Sequence, residues 1–392
     1  MGGPTTTVTV MEATSCRALL VVMALVGAGC GTSGDVQEPA LAPWPSQPAA
    51  TPAPAVPSST HRCRPAPLEA RAGTVLVVGI GNATTPNDPL ARKVSALGVG
   101  GVILFGPNVV GESQVRTLIE GLRRQSPHGL LVSVDEEGGR VSRLKPIIGP
   151  TPSARRLGQR PRPEIVATAA ERGATLDDLG FDLILAPVVD ADGGAAYGAI
   201  GDRSFAPTPT EAGRHAGAYV EGLRQAGVAA TAKHFPGQGG LDDSHDGTVV
   251  FDAPIDEVEA TAAAGFGPAL EAGVPAVMMS HVTFPALGPR PASLEPAAYR
   301  LLRSLGFDGV AVTDAVNMSA VADQWPLPEA AVMALGAGAD LVAATPGHEA
   351  TVMRDAVVAA VADGRLPERR LDEAVARVLA LRGEDPATMV CR

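Results

Sequence analysis

The chain has 392 residues, 45% of them apolar, and a formal net charge of −11. The apolar share supports a large buried core, and 45 Gly with 35 Pro stay below low-complexity composition, which rules out disorder throughout. The acidic balance argues against nucleic acid, whose phosphates need clustered Lys and Arg. An aromatic content of 3% argues against a long groove paved for polymers or single strands.

In chain order, Ala18 to Gly29 (ALLVVMALVGAG) is an apolar run behind Arg17. It is shorter than the roughly 20 residues of a membrane-spanning helix and fits a secretory h-region. From Gly31 to about Pro67 the chain is rich in Pro, Ala, Ser and Thr, a composition that buries little and reads as a semi-extended tether. The four cysteines are Cys16, Cys30, Cys63 and Cys391. Removal of the signal takes Cys16. Cys63 and Cys391 flank the folded region, either as a disulfide closing its ends or as two free thiols. No cysteine spacing resembles a zinc site.

From Thr74 onward, eight apolar runs alternate with helical patterns. The strand candidates are Thr74–Val78, Gly101–Phe105, Leu130–Val134, Phe181–Ala186, Val228–Ala232, Ala276–Met279, Gly309–Val312 and Asp340–Ala343. Amphipathic stretches such as Gln114–Arg124, Glu211–Gln225 and Glu259–Glu271 lie between them, and Leu366–Arg382 reads as a closing helix. Buried parallel strands are expected as continuous apolar runs. This count predicts an α/β fold with one (β/α)8 TIM barrel rather than a doubly wound sheet. Polar residues gather just past the runs: Asp135-Glu136-Glu137 after the third, Asp190 beyond the fourth, Lys233-His234 after the fifth, Ser280-His281 after the sixth and Thr313-Asp314 after the seventh. In such a barrel those strand ends converge on the active site. The pattern therefore predicts an enzyme with acidic, imidazole and cationic groups around one pocket.

Two resemblances sharpen this reading. Gly27-Ala28-Gly29-Cys30 resembles a bacterial lipoprotein signal, which implies cleavage before Cys30 and its lipidation, with a plainly secreted protein as the alternative. The segments KHFPGQGGLDDSH (Lys233–His245), VDEEGGRVSRL (Val134–Leu144), IGDRSF (Ile200–Phe205) and VTDAVNMSAV (Val312–Val321) resemble glycoside hydrolase family 3, and more narrowly its β-N-acetylglucosaminidases. GGVILF, MMSHVTFPAL and RLDEAVARVL support it, and the likeness runs in order from about residue 74 to 383.

The resemblance implies that Asp314 is the nucleophile of a retaining mechanism, with capping of the following helix as the competing reading. It implies that His245 is the general acid/base and Asp243 its partner; an imidazole titrating near neutrality both gives and takes a proton. Gly237, Gly239 and Gly240 give that loop freedom to close and open. The loop departs from the family by one residue: only Gly240-Leu241-Asp242 separate the PGQG glycine Gly239 from Asp243, where the family has four. A shifted register would make Asp242 the partner, although Ser244 and His245 favour Asp243. Asp135, Arg143, Arg203, Lys233 and His234 match contacts to the terminal sugar, where charged groups grip hydroxyls. His281 either joins them at the pocket or stands behind it as a satisfied histidine. Glu136 and Glu137 are set aside, since three successive residues do not all face one pocket.

These readings divide the chain into a signal peptide (1–29), a Pro/Ala-rich linker (30–67), the barrel (68–385) and a C-terminal tail (386–392). They imply a lipid-anchored, extracytoplasmic, monomeric exo-enzyme that removes β-linked N-acetylglucosamine from peptidoglycan fragments or short glycans. No cofactor, metal or nucleic-acid partner is implied. The rivals are a phosphorylase that uses phosphate in place of water, another β-glycosidase of the family, and a non-catalytic lipoprotein that binds wall fragments.

Overall fold

The computed structural model of the chain describes residues 64–391 apart from 196 and 242. The expected signal peptide, the lipidation site Cys30, most of the linker, and Cys63 lie outside the described residues. Ten strands are present: β1 (Leu76–Gly79), β2 (Gly101–Leu104), β3 (Leu131–Val134), β4 (Glu136–Gly138), β5 (Val141–Ser142), β6 (Leu183–Ile184), β7 (Ala229–Phe235), β8 (Ala276–Met279), β9 (Val310–Thr313) and β10 (Val342–Ala344). Eight of them form one parallel sheet in the order β10-β1-β2-β3-β6-β7-β8-β9. The last edge closes onto the first through the Val312–Leu341 bridge, where Thr313 N–H donates to the Leu341 carbonyl at 3.0 Å.

A helix follows each barrel strand: Pro89–Ala96, Glu112–Gln125, Arg162–Leu179, Pro209–Gln225, Ile255–Glu271, Pro296–Ser304, Leu327–Ala337 and Ala350–Ala362. Their starts follow from local chemistry. Asp88 accepts from the N–H groups of Leu90 and Ala91, and Pro stands at the first turn of several helices, where its missing N–H costs nothing. Helices Pro209–Gln225 and Ile255–Glu271 pack at close range, because a Cβ at Gly213 or Gly217 would collide with the Gly265 or Pro268 carbonyl.

The barrel strands alternate. Val78, Val102, Leu104, Val132, Val134, Val277, Met279 and Val342 point outward to the helices, whereas Val77, Ile103, Leu131, Leu183, Leu185, Met278, Val310, Val312, Leu341 and Ala343 fill the barrel. Helix Glu368–Leu381 adds Val378 to that interior cluster. Asp340 is fully buried just before β10 and accepts from Arg303 (2.7 Å), Arg370 (2.7 Å) and Arg377 (3.1 Å), which ties two helices to the barrel.

All eight barrel strands overlap the eight apolar runs, but their ends differ: β7 runs on to Phe235 and takes in Lys233 and His234, which were expected just past it, and β10 begins at Val342 rather than Asp340. Thr74 closes a helix, Leu68–Thr74, rather than opening β1, and its Oγ1 donates to the Ala70 carbonyl at 2.9 Å. The expected tail is also part of the packed fold. Met389 and Val390 are buried, and Ala66 N–H donates to the Met389 carbonyl at 2.9 Å. Cys391 is disulfide-bonded. No helix among the described residues is long and apolar enough to cross a membrane.

Candidate active site

The inward-facing alternation of the strands continues past their C-terminal ends. Val310 and Val312 fill the barrel, and the next residue of that parity is Asp314; Asp135 and Leu185 stand likewise just past β3 and β6, while Lys233, Met278 and Ala343 face the pocket from within β7, β8 and β10. Together with residues from the strand-to-helix loops they line a pocket of about 360 Å³. Asp135, Arg143, Arg203, Lys233, His234, Asp243, His245 and Asp314 all face it. The structure thus brings together every expected site residue on the folded part except His281.

Asp314 is held from several sides. Its N–H donates to the Met279 carbonyl at 3.0 Å, which extends the β8–β9 pairing, and its Oδ1 accepts the Ala315 N–H at 2.7 Å. Oδ2 faces His234 Nε2 at 3.9 Å. Burial alone would raise this carboxyl, but His234, His281, the Ala315 N–H and Lys233 outweigh it and hold it below the usual carboxylate range. Asp314 is therefore an ionised carboxylate at neutral pH. Its 19% side-chain exposure lies on the pocket side.

His281 takes the second of its two expected places. It is fully buried behind Asp314, with Nδ1 2.7 Å from Ser293 Oγ and Nε2 3.0 Å from the Ala315 carbonyl. Burial depresses its pKa, so the neutral ring donates from Nε2 to the carbonyl and accepts at Nδ1 from the serine. Both nitrogens are used by the protein. His281 holds the backbone next to Asp314 and does not line the pocket.

Strand β7 presents two successive side chains to the pocket because its register against β8 shifts between Lys233 and Phe235. His234 lies in that bulge. Its Nδ1 is 2.6 Å from Asp190 Oδ2, and its backbone N–H donates to the same oxygen at 3.1 Å. Asp190, buried beyond β6, also accepts the Gln238 N–H at 2.5 Å. One carboxylate thereby fixes the His234 ring and the first turn of the loop that leads to His245.

Lys233 Nζ lies 2.8 Å from Asp135 and 2.7 Å from Glu137, and Arg203 grips both Glu137 oxygens at 2.7 and 2.9 Å. Glu137 is the residue that the sequence argument set aside. Along an extended strand Asp135 and Glu137 share a face while Glu136 points away, and Glu136 bonds Ser142 Oγ at 2.9 Å and Leu144 N–H at 3.0 Å. The alternation rule would have found the pair. Burial would raise Glu137, but Lys233 and Arg203 pull it down to about 2. Burial would likewise lower Lys233, and Asp135 with Glu137 holds it above its usual value. Arg143, from the end of the β4–β5 hairpin, lines the pocket, and its Nε has no hydrogen-bond partner among the described residues.

The last member stands on a loop. His245 Nδ1 is 2.7 Å from Asp243 Oδ1, and its N–H donates to the same oxygen at 3.0 Å. These bonds to His245 overcome burial and lower the Asp243 carboxyl. The one-residue-shorter loop still brings His245 to the pocket that holds Asp314. Gly237 and Gly239 adopt φ of +138° and +63°, which suits glycine at this turn. Further on, the Ser244 carbonyl accepts the Ala320 N–H at 3.3 Å, and Thr283 N–H donates to the Val249 carbonyl at 2.8 Å.

A parallel eight-stranded barrel with an ionised carboxylate, an Asp–His pair and a ring of charged groups at its C-terminal mouth defines a site of the glycosidase class. Comparison with known proteins agrees. The glycosyl hydrolase family 3 N-terminal domain matches residues 68–381. Beta-hexosaminidase LpqI of Mycobacterium tuberculosis is 36% identical over 328 residues, covering 80% of this chain and 82% of that protein. Among solved structures, a family 3 β-N-acetylglucosaminidase from a Paenibacillus species superposes with a TM-score of 0.76 at 34% identity, covering 83% of this chain. The present chain spans 64% of the length of that Paenibacillus chain. A family 3 glycosyl hydrolase from Mycobacterium smegmatis gives a TM-score of 0.74 at 37% identity, covering 80% of this chain and 97% of that one. This chain belongs to glycoside hydrolase family 3.

Proposed function

We propose that the protein is a retaining exo-β-N-acetylglucosaminidase acting on peptidoglycan fragments or short glycans. The observation that carries the reading is the meeting of ionised Asp314 and the Asp243–His245 pair in one pocket. The names of its relatives give the sugar class. In the first step Asp314 attacks the anomeric carbon while His245 protonates the departing glycosidic oxygen, leaving a glycosyl ester on Asp314. In the second step His245 takes a proton from water, which displaces the carboxylate and releases the free sugar. Asp243 fixes the ring tautomer and supports the imidazolium.

Asp135, Arg143, Arg203, Lys233 and His234 hold the hydroxyls of the terminal sugar. Ion pairs of Lys233 with Asp135 and Glu137, of Arg203 with Glu137 and of His234 with Asp190 preorganise most of these groups before substrate arrives. A pocket of about 360 Å³ suits one ring and its substituents, which favours action at chain ends. The apolar run ending at Cys30 supports a lipoprotein on the outer face of the membrane, and that location supports wall fragments as substrates. The enzyme is proposed to work as a monomer, and its steps use only its own side chains. The test is chromophore release from an aryl β-N-acetylglucosaminide by the full chain beside Asp314→Ala. Release by the wild type alone is expected; folded wild-type protein that releases none overturns the reading.

A further inference from the structure

Asp190 is a buried carboxylate to which the proposed steps give no part. It is 2% exposed, and the segment that carries it is pinned to β7: Lys233 N–H donates to the Pro187 carbonyl at 3.1 Å, and Val189 N–H to the Lys233 carbonyl at 2.6 Å. A buried carboxylate needs its oxygens well bonded. Here the two oxygens serve different parts of the site. Oδ2 takes both the backbone N–H and Nδ1 of His234, at 3.1 and 2.6 Å, which leaves Nε2 as the nitrogen turned toward Asp314. Oδ1 takes the Gln238 N–H at 2.5 Å. Gln238 opens the loop that leads to Asp243 and His245. The next turn of that loop rests on the same segment, since a Cβ at Gly240 would come within 3.1 Å of the Asp192 carbonyl oxygen.

His245 bonds Asp243 of its own loop, so where the pair stands depends on how the loop is anchored at its base. We propose that Asp190 is a positioning residue for the acid/base: one carboxylate sets the loop that carries the Asp243–His245 pair in register with the His234 ring beside the nucleophile. This rests on the glycosidase reading above. Proton donation is costly to misplace by about an ångström. The effect of Asp190 on the loop therefore falls on the step that His245 assists, departure of a leaving group that needs a proton. Its effect through His234 falls on every substrate alike.

Two substrates separate these effects. The β-1,4-linked N-acetylglucosamine disaccharide has a leaving group that needs protonation, whereas an activated aryl β-N-acetylglucosaminide needs little. Asp190→Ala removes both acceptors at once. It is expected to lower kcat/KM about 10²-fold for the disaccharide and about tenfold or less for the aryl substrate. In a His245→Ala chain the same change should cost the disaccharide less than about threefold, because the group it positions is gone. The ratio of the two substrates cancels the concentration of folded enzyme. Where Asp190→Ala folds poorly, Asp190→Asn is measured the same way; its amide offers one acceptor where both sides present donors, so one side must break. Equal factors for both substrates, or the same loss on the disaccharide with and without His245, overturns the positioning role and leaves the glycosidase reading standing. A folded wild type that hydrolyses neither substrate overturns both.

Discussion

The proposed nucleophile and its acid/base partner share a pocket but stand on different supports. Asp314 continues a barrel strand, accepts its neighbour's N–H and is backed by a fully buried histidine that holds the Ala315 carbonyl. His245 sits on a glycine-bearing loop with 66% of its side chain exposed and its Asp243 partner 40% exposed. The difference fits the division of labour. The carboxylate must meet the anomeric carbon in one fixed geometry, where small misplacement is costly. The proton donor has to serve two steps and let water in between them, which a loop allows.

If that contrast is right, the two halves respond differently to substitution. Asp314→Ala should abolish turnover, a loss of about 10⁴-fold or more in kcat, in a chain whose circular dichroism is unchanged. His245→Ala should cost about 10²- to 10⁴-fold with a sugar leaving group and much less with an activated aryl group, which needs little protonation. Its unfolding free energy should stay within about 0.5 kcal/mol of wild type, since the ring is mostly exposed. Glu137→Gln, on the rigid side, should instead destabilise the fold by about 3–5 kcal/mol at pH 7 by leaving Lys233 and Arg203 buried without their shared partner. The sign with pH follows from its depressed carboxyl. The stabilisation is complete above the unfolded value of about 4.3 and fades as pH falls toward about 2, so urea midpoints of variant and wild type should converge in acid.

A smaller effect tests the electrostatics around the nucleophile. Because Asp314 is held below its ordinary value, the acid limb of kcat/KM should lie below pH about 4. His234→Ala removes the largest of the groups that lower it and should move that limb upward, beyond simply weakening substrate binding. A limb that stays in place would mean that His234 acts through sugar contacts alone.

The same contrast governs how much could be read from the sequence. Barrel strands were legible because both faces are buried, so each is a run of apolar residues, and Asp314, Lys233 and Asp135 follow such runs directly. Glu137 was missed because the alternation was not carried past the strand end, into a hairpin whose Glu-Glu-Gly and Val-Ser strands have no apolar signature. The place of His281 depended on Ser293 and Ala315, distant in sequence, and no local pattern marks those bonds. The shortened loop was visible as a count of residues. That His245 still reaches the pocket is a property of the folded loop, pinned at Gln238, Ser244 and Val249.

The most direct test of the central claim is an intact-mass measurement of the His245→Ala enzyme quenched during turnover of an activated aryl β-N-acetylglucosaminide. The variant should still form the glycosyl ester but hydrolyse it slowly, so the chain should gain one N-acetylhexosaminyl residue, mapped to the peptide that carries Asp314. Turnover without any mass gain, or a gain on a different carboxylate, would contradict the assignment of the strand-borne aspartate as the nucleophile.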